Sequence, residues 1–375
     1  MVRVVSVRLE SDVVPLPGAE SRSSYSRRTC AEATLMTSAS ILRSRHRVLR
    51  YRRLVNRRGG VEKYLAESSK ALSVLGWGAT IASAKVPDGP GAFSDTTIVE
   101  TPQIMTPVGA LSPRLTTQAI RTRPNVVEVH GLNSMSALAH LRGPWLRLVY
   151  PYFHPTILGS ERESATRERV IAAYRWADAL VLMTEDEREF LQELTNHSLA
   201  DAIVVSPAAD GRTVTSSPKR SEPRTLLLVI SRLETEKRVD TVISAAAEAG
   251  LLDRLRVVGG GPDRPRLESL IDVLGGSSEQ TLLGRISDDH LLSLLEGSRA
   301  LVSMSKSESY GVTLQEALAS GTSIIASDIP SHRWILQAVP SEFYQLIGGP
   351  DSPLLADAMT NPPCLPPAGV YNRQW

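Results

Sequence analysis

Ser303-Met-Ser-Lys-Ser-Glu308-Ser-Tyr-Gly311-Val-Thr-Leu-Gln-Glu316-Ala-Leu-Ala-Ser-Gly321-Thr-Ser-Ile-Ile-Ala-Ser-Asp328-Ile-Pro330 is the stretch whose reading decides the fold. The apolar run Ala300 to Met304 leads into it and reads as a buried strand. Glu308 falls in the loop that follows. Gly311 opens a helix whose Val312, Leu314, Ala317 and Leu318 form an inner face. Gly321 ends that helix, as glycine often does just past a helix C-terminus. Ser323 to Ala326 reads as a second buried strand. Strand, loop, helix and strand make the repeating unit of a parallel sheet, so the stretch predicts an α/β fold.

Glu308 and Glu316 stand eight positions apart, one before the helix and one inside it. Eight helical residues span roughly 12 Å. Carboxylate pairs that hydrolyse a glycosidic bond sit only ~5–9.5 Å apart. The spacing therefore suits one long ligand touched at two places better than an acid–base pair on one bond. Between the glutamates lies a helix N-terminus, whose free N–H groups and positive dipole end suit a phosphate. On spacing alone two readings stay open: sugar at Glu308, phosphates at Gly311, Val312 and Thr313 and ribose at Glu316, or two solvated glutamates beside a helix start.

Glu308-Ser-Tyr-Gly-Val-Thr-Leu-Gln-Glu316-Ala-Leu-Ala-Ser-Gly-Thr resembles the Glu-x7-Glu signature of the family-4 retaining glycosyltransferases. The resemblance covers about Gly59 to Gly349 and is best in the second half. It implies two Rossmann-like domains facing across a cleft, the GT-B fold. It also implies a nucleoside-diphosphate sugar donor, UDP- or GDP-linked, and a glycan or lipid-linked acceptor.

The rest of the chain fits two such domains. At 375 residues it is long enough for both. Hydrophobic content of 42% and charged content of 22% are ordinary for a globular protein. A net charge of +2 argues against a nucleic-acid partner. Cys30 and Cys364 match neither a metal site nor a disulfide framework, so a reducing, cytoplasmic setting is expected. No apolar run approaches the ~20 residues of a membrane span, and no signal peptide is evident. The expected divisions are a basic N-terminal segment over 1–58, a first domain over 59–212, a linker over 213–223, a second domain over 224–360 and a proline-rich tail over 361–375.

Residues 1–58 fit least. Arg43, Arg45, Arg47, Arg50, Arg52, Arg53, Arg57 and Arg58 form a basic run and interrupt Val48 to Val55, where relatives carry a buried first strand. Three readings compete. One is an arm on anionic lipid headgroups, giving peripheral contact with the inner face of a membrane. A transit peptide is the second, against which Glu10, Asp12, Glu20 and Glu32 count. The third is sequence without an ordered place in the fold.

Gly59-Gly60-Val61-Glu62-Lys63-Tyr64-Leu65 then starts a helix that runs to Leu75. A Gly-Gly step lets a ligand approach the backbone closely, though it is commoner in plain turns. The string is similar to the family loop that lies over donor phosphates and acceptor pocket. His130 and His154 each fall near the carboxyl end of an expected strand, Val126 to His130 and Leu146 to Tyr150, where open α/β sheets hold ligands. A lone histidine there is more often structural. The resemblance places His154 near the transferred sugar, while His130 is taken as a binding residue from its place at the strand end. Thr184-Glu-Asp-Glu187 reads as a capping box, so Asp186 and Glu187 are helix-start residues and no acid–base pair.

Leu226 to Ile230 is a continuous apolar strand, followed by Arg232 and Lys237 ahead of a helix. Two cations there make an anion site or a plain exposed basic loop. They resemble the family's Arg-x4-Lys element, which holds the donor diphosphate. Gly259-Gly260-Gly261 allows close packing of strand and helix. Leu282 to Ile286 resembles the turn whose backbone, at Arg285 and Ile286, reads the nucleobase, and Ser287 caps the next helix. Beyond Pro330 the match fades, with Ser331-His332-Arg333 where many relatives have glycine. No Asp-x-Asp pair is placed to hold a diphosphate-bound metal, so no metal or other cofactor is expected.

The expected catalytic residues are thus Arg232, Lys237, Glu308 and His154. The expected binding residues are Gly59, Gly60, His130, Arg285, Ile286, Gly311, Val312, Thr313 and Glu316. Two alternatives would keep Arg232, Lys237 and Glu316: a nucleotide-sugar hydrolase or epimerase on the same fold, which needs no acceptor, and a non-catalytic donor-binding protein.

Overall fold

A computed structural model of the protein describes residues 46–54, 60–85, 97–106, 109–152, 160–205, 224–349 and 353–367. The first half holds β1 (His46–Leu54), α1 (Gly60–Val74), β2 (Trp77–Lys85), β3 (Thr97–Glu100), β4 (Ile104–Thr106), β5 (Gly109–Leu111), α2 (Pro113–Thr122), β6 (Val126–His130), β7 (Leu146–Tyr150), α3 (Ser160–Trp176), β8 (Ala179–Leu182), α4 (Glu185–Thr195) and β9 (Ile203–Val204). Its main sheet is parallel and runs β3-β2-β1-β6-β7-β8-β9, with β4 and β5 as a separate antiparallel pair.

The second half holds β10 (Leu226–Ile230), α5 (Val239–Glu248), β11 (Leu255–Val258), α6 (Arg264–Val273), α7 (Ser278–Thr281), β12 (Leu282–Gly284), α8 (Asp288–Gly297), β13 (Ser298–Ser303), α9 (Val312–Ala319), β14 (Ser323–Ser327), α10 (Pro330–Leu336), β15 (Tyr344–Ile347) and α11 (Pro353–Thr360). Its parallel sheet runs β12-β11-β10-β13-β14-β15.

Each sheet reverses its winding once, beside its first strand: between β1 and β6, and between β10 and β13. Such switch points open a crevice at the carboxyl ends of the strands, and ligands of open α/β sheets bind there. The loops after β10 and β13, which carry Arg232, Lys237 and Glu308, meet at the second of these crevices.

The apolar runs became buried strands because both faces of a parallel sheet are covered. Leu49, Val127, Val149 and Leu182 are core residues of the first sheet, and Leu227, Val257, Val302 and Ile325 of the second. A third cluster joins Tyr150, Val181 and Met183 of the first half to Tyr310 and Leu314 of the second, so the two halves share packed apolar surface. Thr184 caps α4 as expected, its Oγ1 accepting from the Glu187 amide at 3.0 Å, while Glu187 Oε2 accepts from the Met183 amide at 2.7 Å. The expected linker over 213–223 lies outside the described residues.

The expected N-terminal division needs correction. Residues 46–54 are no basic arm; they form β1, the strand at the switch point of the first sheet. Three of its arginines, Arg47, Arg50 and Arg52, have partners on other elements. Arg50 is 2% exposed, with Nε 2.8 Å from Glu128 Oε2 and Nη1 donating to Leu65 O, Ser68 Oγ and Ser69 Oγ at 2.8–3.0 Å. Arg52 donates to Glu62 Oε1 at 2.7 Å, and Arg47 to Thr122 O at 3.0 Å. A buried charge is tolerated when it is paired and hydrogen-bonded. Hydropathy along one strand could not reveal partners that sit on other elements. Residues 1–45 lie outside the described residues, as do Arg57 and Arg58. No helix among the described residues is long and apolar enough to cross a membrane.

Candidate active site

The site is built on the loops that leave β10 and β13 and on the first turns of α9. Arg232 opens the loop after β10. Its side chain is mostly exposed and pairs with Glu234 at 2.5 Å. A short 3-10 turn, Thr235–Lys237, then brings Lys237 inward, where Nζ lies 2.5 Å from Glu308 Oε1. The Lys306 amide donates to Glu236 O at 2.9 Å and ties the two loops together. Ser305 Oγ donates to the same Glu308 oxygen at 2.7 Å. Burial alone would raise the Glu308 carboxyl. The Lys237 ammonium and the hydrogen bonds from Lys237 and Ser305 outweigh burial and hold it below its ordinary value. Glu308 is therefore an anion in contact with a cation at neutral pH.

Gly311 stands at the N-terminus of α9 with φ 103°, a backbone conformation that favours glycine. A Cβ there would lie 3.1 Å from Ile335 Cδ1 and 3.5 Å from His332 Cδ2. Val312 and Thr313 form the first turn, and Glu316 follows on α9, 4% exposed. Its Oε1 is 2.5 Å from Lys63 Nζ, which reaches across from α1. Gly60, the first residue of α1, faces the same turn: a Cβ on it would be 3.9 Å from Val312 Cγ2. The starts of α1 and α9 thus oppose each other across the cleft. Nothing in the sequence pattern singled out Lys63; only its place in the Gly-Gly string pointed towards the cleft.

Behind Gly311 lies His332, fully buried on α10. Its Nδ1 donates to Ser327 O at 2.9 Å, because a carbonyl oxygen can only accept. Its Nε2 is buried without a hydrogen-bond partner. Burial pushes this imidazole down, against the pull of Ser327 O and Glu308. Ser327 Oγ donates to Ser305 O at 2.6 Å, so His332, Ser327, Ser305 and Glu308 form one connected support for the loop. The pattern-based reading missed His332 and noted its segment only as a departure from relatives.

The glycines after β11 serve the loop that carries Arg232. A Cβ on Gly259 would lie 1.8 Å from Ser231 O, and one on Gly261 2.2 Å from Leu233 O. Leu233 donates to Gly260 O at 3.1 Å. Arg285, after β12, comes near the same turn: a Cβ on Gly260 would lie 3.9 Å from Arg285 Nε. Ile286 follows beside it.

On the first-half side, His130 is fully buried at the end of β6, with both ring nitrogens engaged. Nε2 is 3.0 Å from Glu128 Oε2 and Nδ1 is 2.9 Å from the Tyr152 hydroxyl. Burial pushes the imidazole down to about 4, more than Glu128 pulls it up. An ionised Glu128 only accepts, so Nε2 carries the proton and Tyr152 donates to Nδ1. His130 is expected among the binding residues; here both ring nitrogens face protein groups, and it props Tyr152, a half-buried residue with φ 49°. Tyr64, Tyr150 and Tyr152 pack around His130 with ring centroids 4.5–6.2 Å from it. His154 and Gly59 lie outside the described residues.

A cavity of about 180 Å³ lies at the opposite, amino-terminal edge of the second sheet, lined by Arg224, Arg254 and Arg299. It is remote from Glu308 and Gly311. No group of three or more potential metal ligands occurs among the described residues.

Two parallel α/β domains with facing carboxyl-end crevices define the class: the protein has the GT-B fold of glycosyltransferases. The pneumococcal O-GlcNAc transferase GtfA, solved with UDP and GlcNAc, superimposes with a TM-score of 0.63 at 12% identity, over 84% of this chain and 91% of that one. Residues 213–338 match the family model of glycosyl transferases group 1. Among curated relatives, the UDP-N-acetylglucosamine–peptide N-acetylglucosaminyltransferase GtfA subunit of Limosilactobacillus reuteri is 29% identical over 42% of this chain and 31% of its own length. D-inositol 3-phosphate glycosyltransferase of a Mycobacterium species is 31% identical over 41% of this chain and 38% of its own length. The match thus spans about a third of these curated relatives.

Proposed function

We propose that the protein is a retaining glycosyltransferase of the family-4 type. It would move a sugar from a nucleoside-diphosphate sugar to a glycan or lipid-linked acceptor without a metal ion. The observation that carries this reading is the row formed by Lys237–Glu308, the N-terminus of α9 and Glu316 on one side of the cleft. In this reading Lys237 and Arg232 exchange their carboxylate partners for the donor diphosphate. They stabilise the charge that grows on the leaving group, often the largest single contribution to catalysis. The free amides of Gly311, Val312 and Thr313 add to that charge stabilisation.

Glu308 binds sugar hydroxyls, Glu316 the ribose, and the backbone at Arg285 and Ile286 the base. Gly59 and Gly60 let the donor lie close to α1, and His154 stands near the transferred sugar. The acceptor attacks from the side of the leaving phosphate, and closure of the domains excludes water. UDP is the nucleotide to try first, because the solved GtfA complex holds it. Peripheral contact with an anionic membrane belongs to the same reading and would bring the protein to a lipid-linked acceptor.

Nucleotide release from a panel of UDP- and GDP-sugars, with a mixed lipid and glycan acceptor extract, tests this. Acceptor-dependent release should appear with one donor and fall by about 10²–10³ in Lys237→Ala, the size expected for removing a charge-stabilising donor. Release that needs no acceptor would favour the hydrolase or epimerase, and binding without turnover would favour the non-catalytic protein.

A further inference from the structure

Lys63 is the cation in the cleft that the donor reading leaves without a role. It stands in the first turn of α1, and its partner Glu316 lies 253 positions further along the chain, on α9. The pair is the polar link between the two facing helix starts, beside the contact of Gly60 with Val312. Glu316 is nearly buried, whereas the Lys63 side chain keeps 30% of its surface exposed and has room to move. The neighbouring cations show the same habit: Lys237 rests on Glu308 and Arg232 on Glu234.

A carboxylate that accepts from two neighbouring ribose hydroxyls uses both of its oxygens. Lys63 sits on one of them, so the ion pair and a ribose compete for Glu316. A nucleotide laid along α9, with diphosphate at Gly311–Thr313 and ribose at Glu316, would pass beneath Lys63. Lysine is a point charge on a flexible four-carbon stem, well suited to a short move onto phosphate oxygens.

We propose that Lys63 exchanges partners when a nucleotide binds: it yields Glu316 to the ribose and passes to the diphosphate. The first domain thereby supplies a cation to the donor and closes over it. This rests on the donor-site reading above. Lys63 then acts as a donor-binding residue from the domain that otherwise faces the acceptor.

Calorimetric titration of UDP, GDP, uridine and guanosine into the full chain, Lys63→Met, Lys63→Arg and Glu316→Gln tests it. Loss of a charge-assisted contact to phosphate should weaken the preferred nucleoside diphosphate about tenfold in Lys63→Met. The matching nucleoside should bind as well as before or better, and Lys63→Arg should restore most of the loss. Glu316→Gln should weaken diphosphate and nucleoside alike. Unchanged or tighter diphosphate binding in Lys63→Met overturns the exchange, as does equal weakening of diphosphate and nucleoside. Binding of neither UDP nor GDP by the unaltered chain overturns the donor reading and the exchange together. Lys63→Arg keeps the charge, so a loss there equal to that of Lys63→Met marks a purely structural role and also overturns the proposal.

Discussion

At the scale of single residues, the chain places charge where composition would not put it. Arg50 is buried in β1 because Glu128, two serines and a backbone carbonyl meet it there. His130 extends that network and stays neutral. Its folded value near 4 lies below the 6.5 of a free imidazole. Between those values the unfolded chain binds a proton that the folded protein refuses. Stability is therefore full above pH 6.5 and falls as pH drops towards 4. By linkage the loss should reach about 3 kcal/mol from this residue. Glu128, held below its ordinary carboxyl value, adds a loss of the same sign at still lower pH. Urea denaturation at a series of pH values measures the slope, and His130→Phe should flatten it between pH 6.5 and 4. A slope that persists there in the variant would assign the acid sensitivity to other groups.

At the scale of elements, the sequence was legible wherever the signal is local. The strand Leu226–Ile230, the helix start at Gly311 and its end at Gly321 follow from apolar runs and glycine positions. In the proposed reading, the start of α9 meets phosphate through its backbone geometry. Gly311→Ala would force an L side chain to φ 103° against Ile335 and His332. That should destabilise the protein by about 1–3 kcal/mol, the usual range for a residue held in a sparsely populated backbone region. It should also displace the first turn of α9. Urea denaturation and UDP titration read the two effects separately. Normal stability with normal binding would mean that the loop relaxes freely and that the glycine is dispensable. The segment before β6 was less legible: β3, β4 and β5 are short and lie among prolines and glycines, so no periodicity announces them.

At the scale of the whole molecule, β1 changes how the N-terminal segment should be tested. Deleting residues 1–58 would remove the strand at the switch point of the first sheet and disrupt the domain. Deleting residues 1–45 leaves β1 intact, with Arg47, Arg50 and Arg52 in their places. Co-sedimentation of the full chain with vesicles rich in anionic lipid should weaken on that shorter deletion, which removes Arg43 and Arg45 of the basic run, by about 1 kcal/mol per basic residue lost. Equal co-sedimentation of both proteins would end the membrane reading. The two domains meet through the cluster of Tyr150, Met183, Tyr310 and Leu314 and through the Lys63–Glu316 pair. Motion at the cleft must therefore break an ion pair and shift apolar contacts together.

The sequence by itself marked the α/β character of both halves, most of the longer buried strands and the spacing of Glu308, Gly311 and Glu316 along one helix start. These depend on periodicity and spacing within a few tens of residues. Tertiary structure alone decided that Arg50 of β1 belongs to the core, that His130 supports Tyr152, that His332 backs Gly311, and that Lys63 holds Glu316. Each of those outcomes depends on a partner brought close by folding. A charge reads as solvated until its counter-ion is found, and the counter-ions of Arg50 and Lys63 lie on other elements.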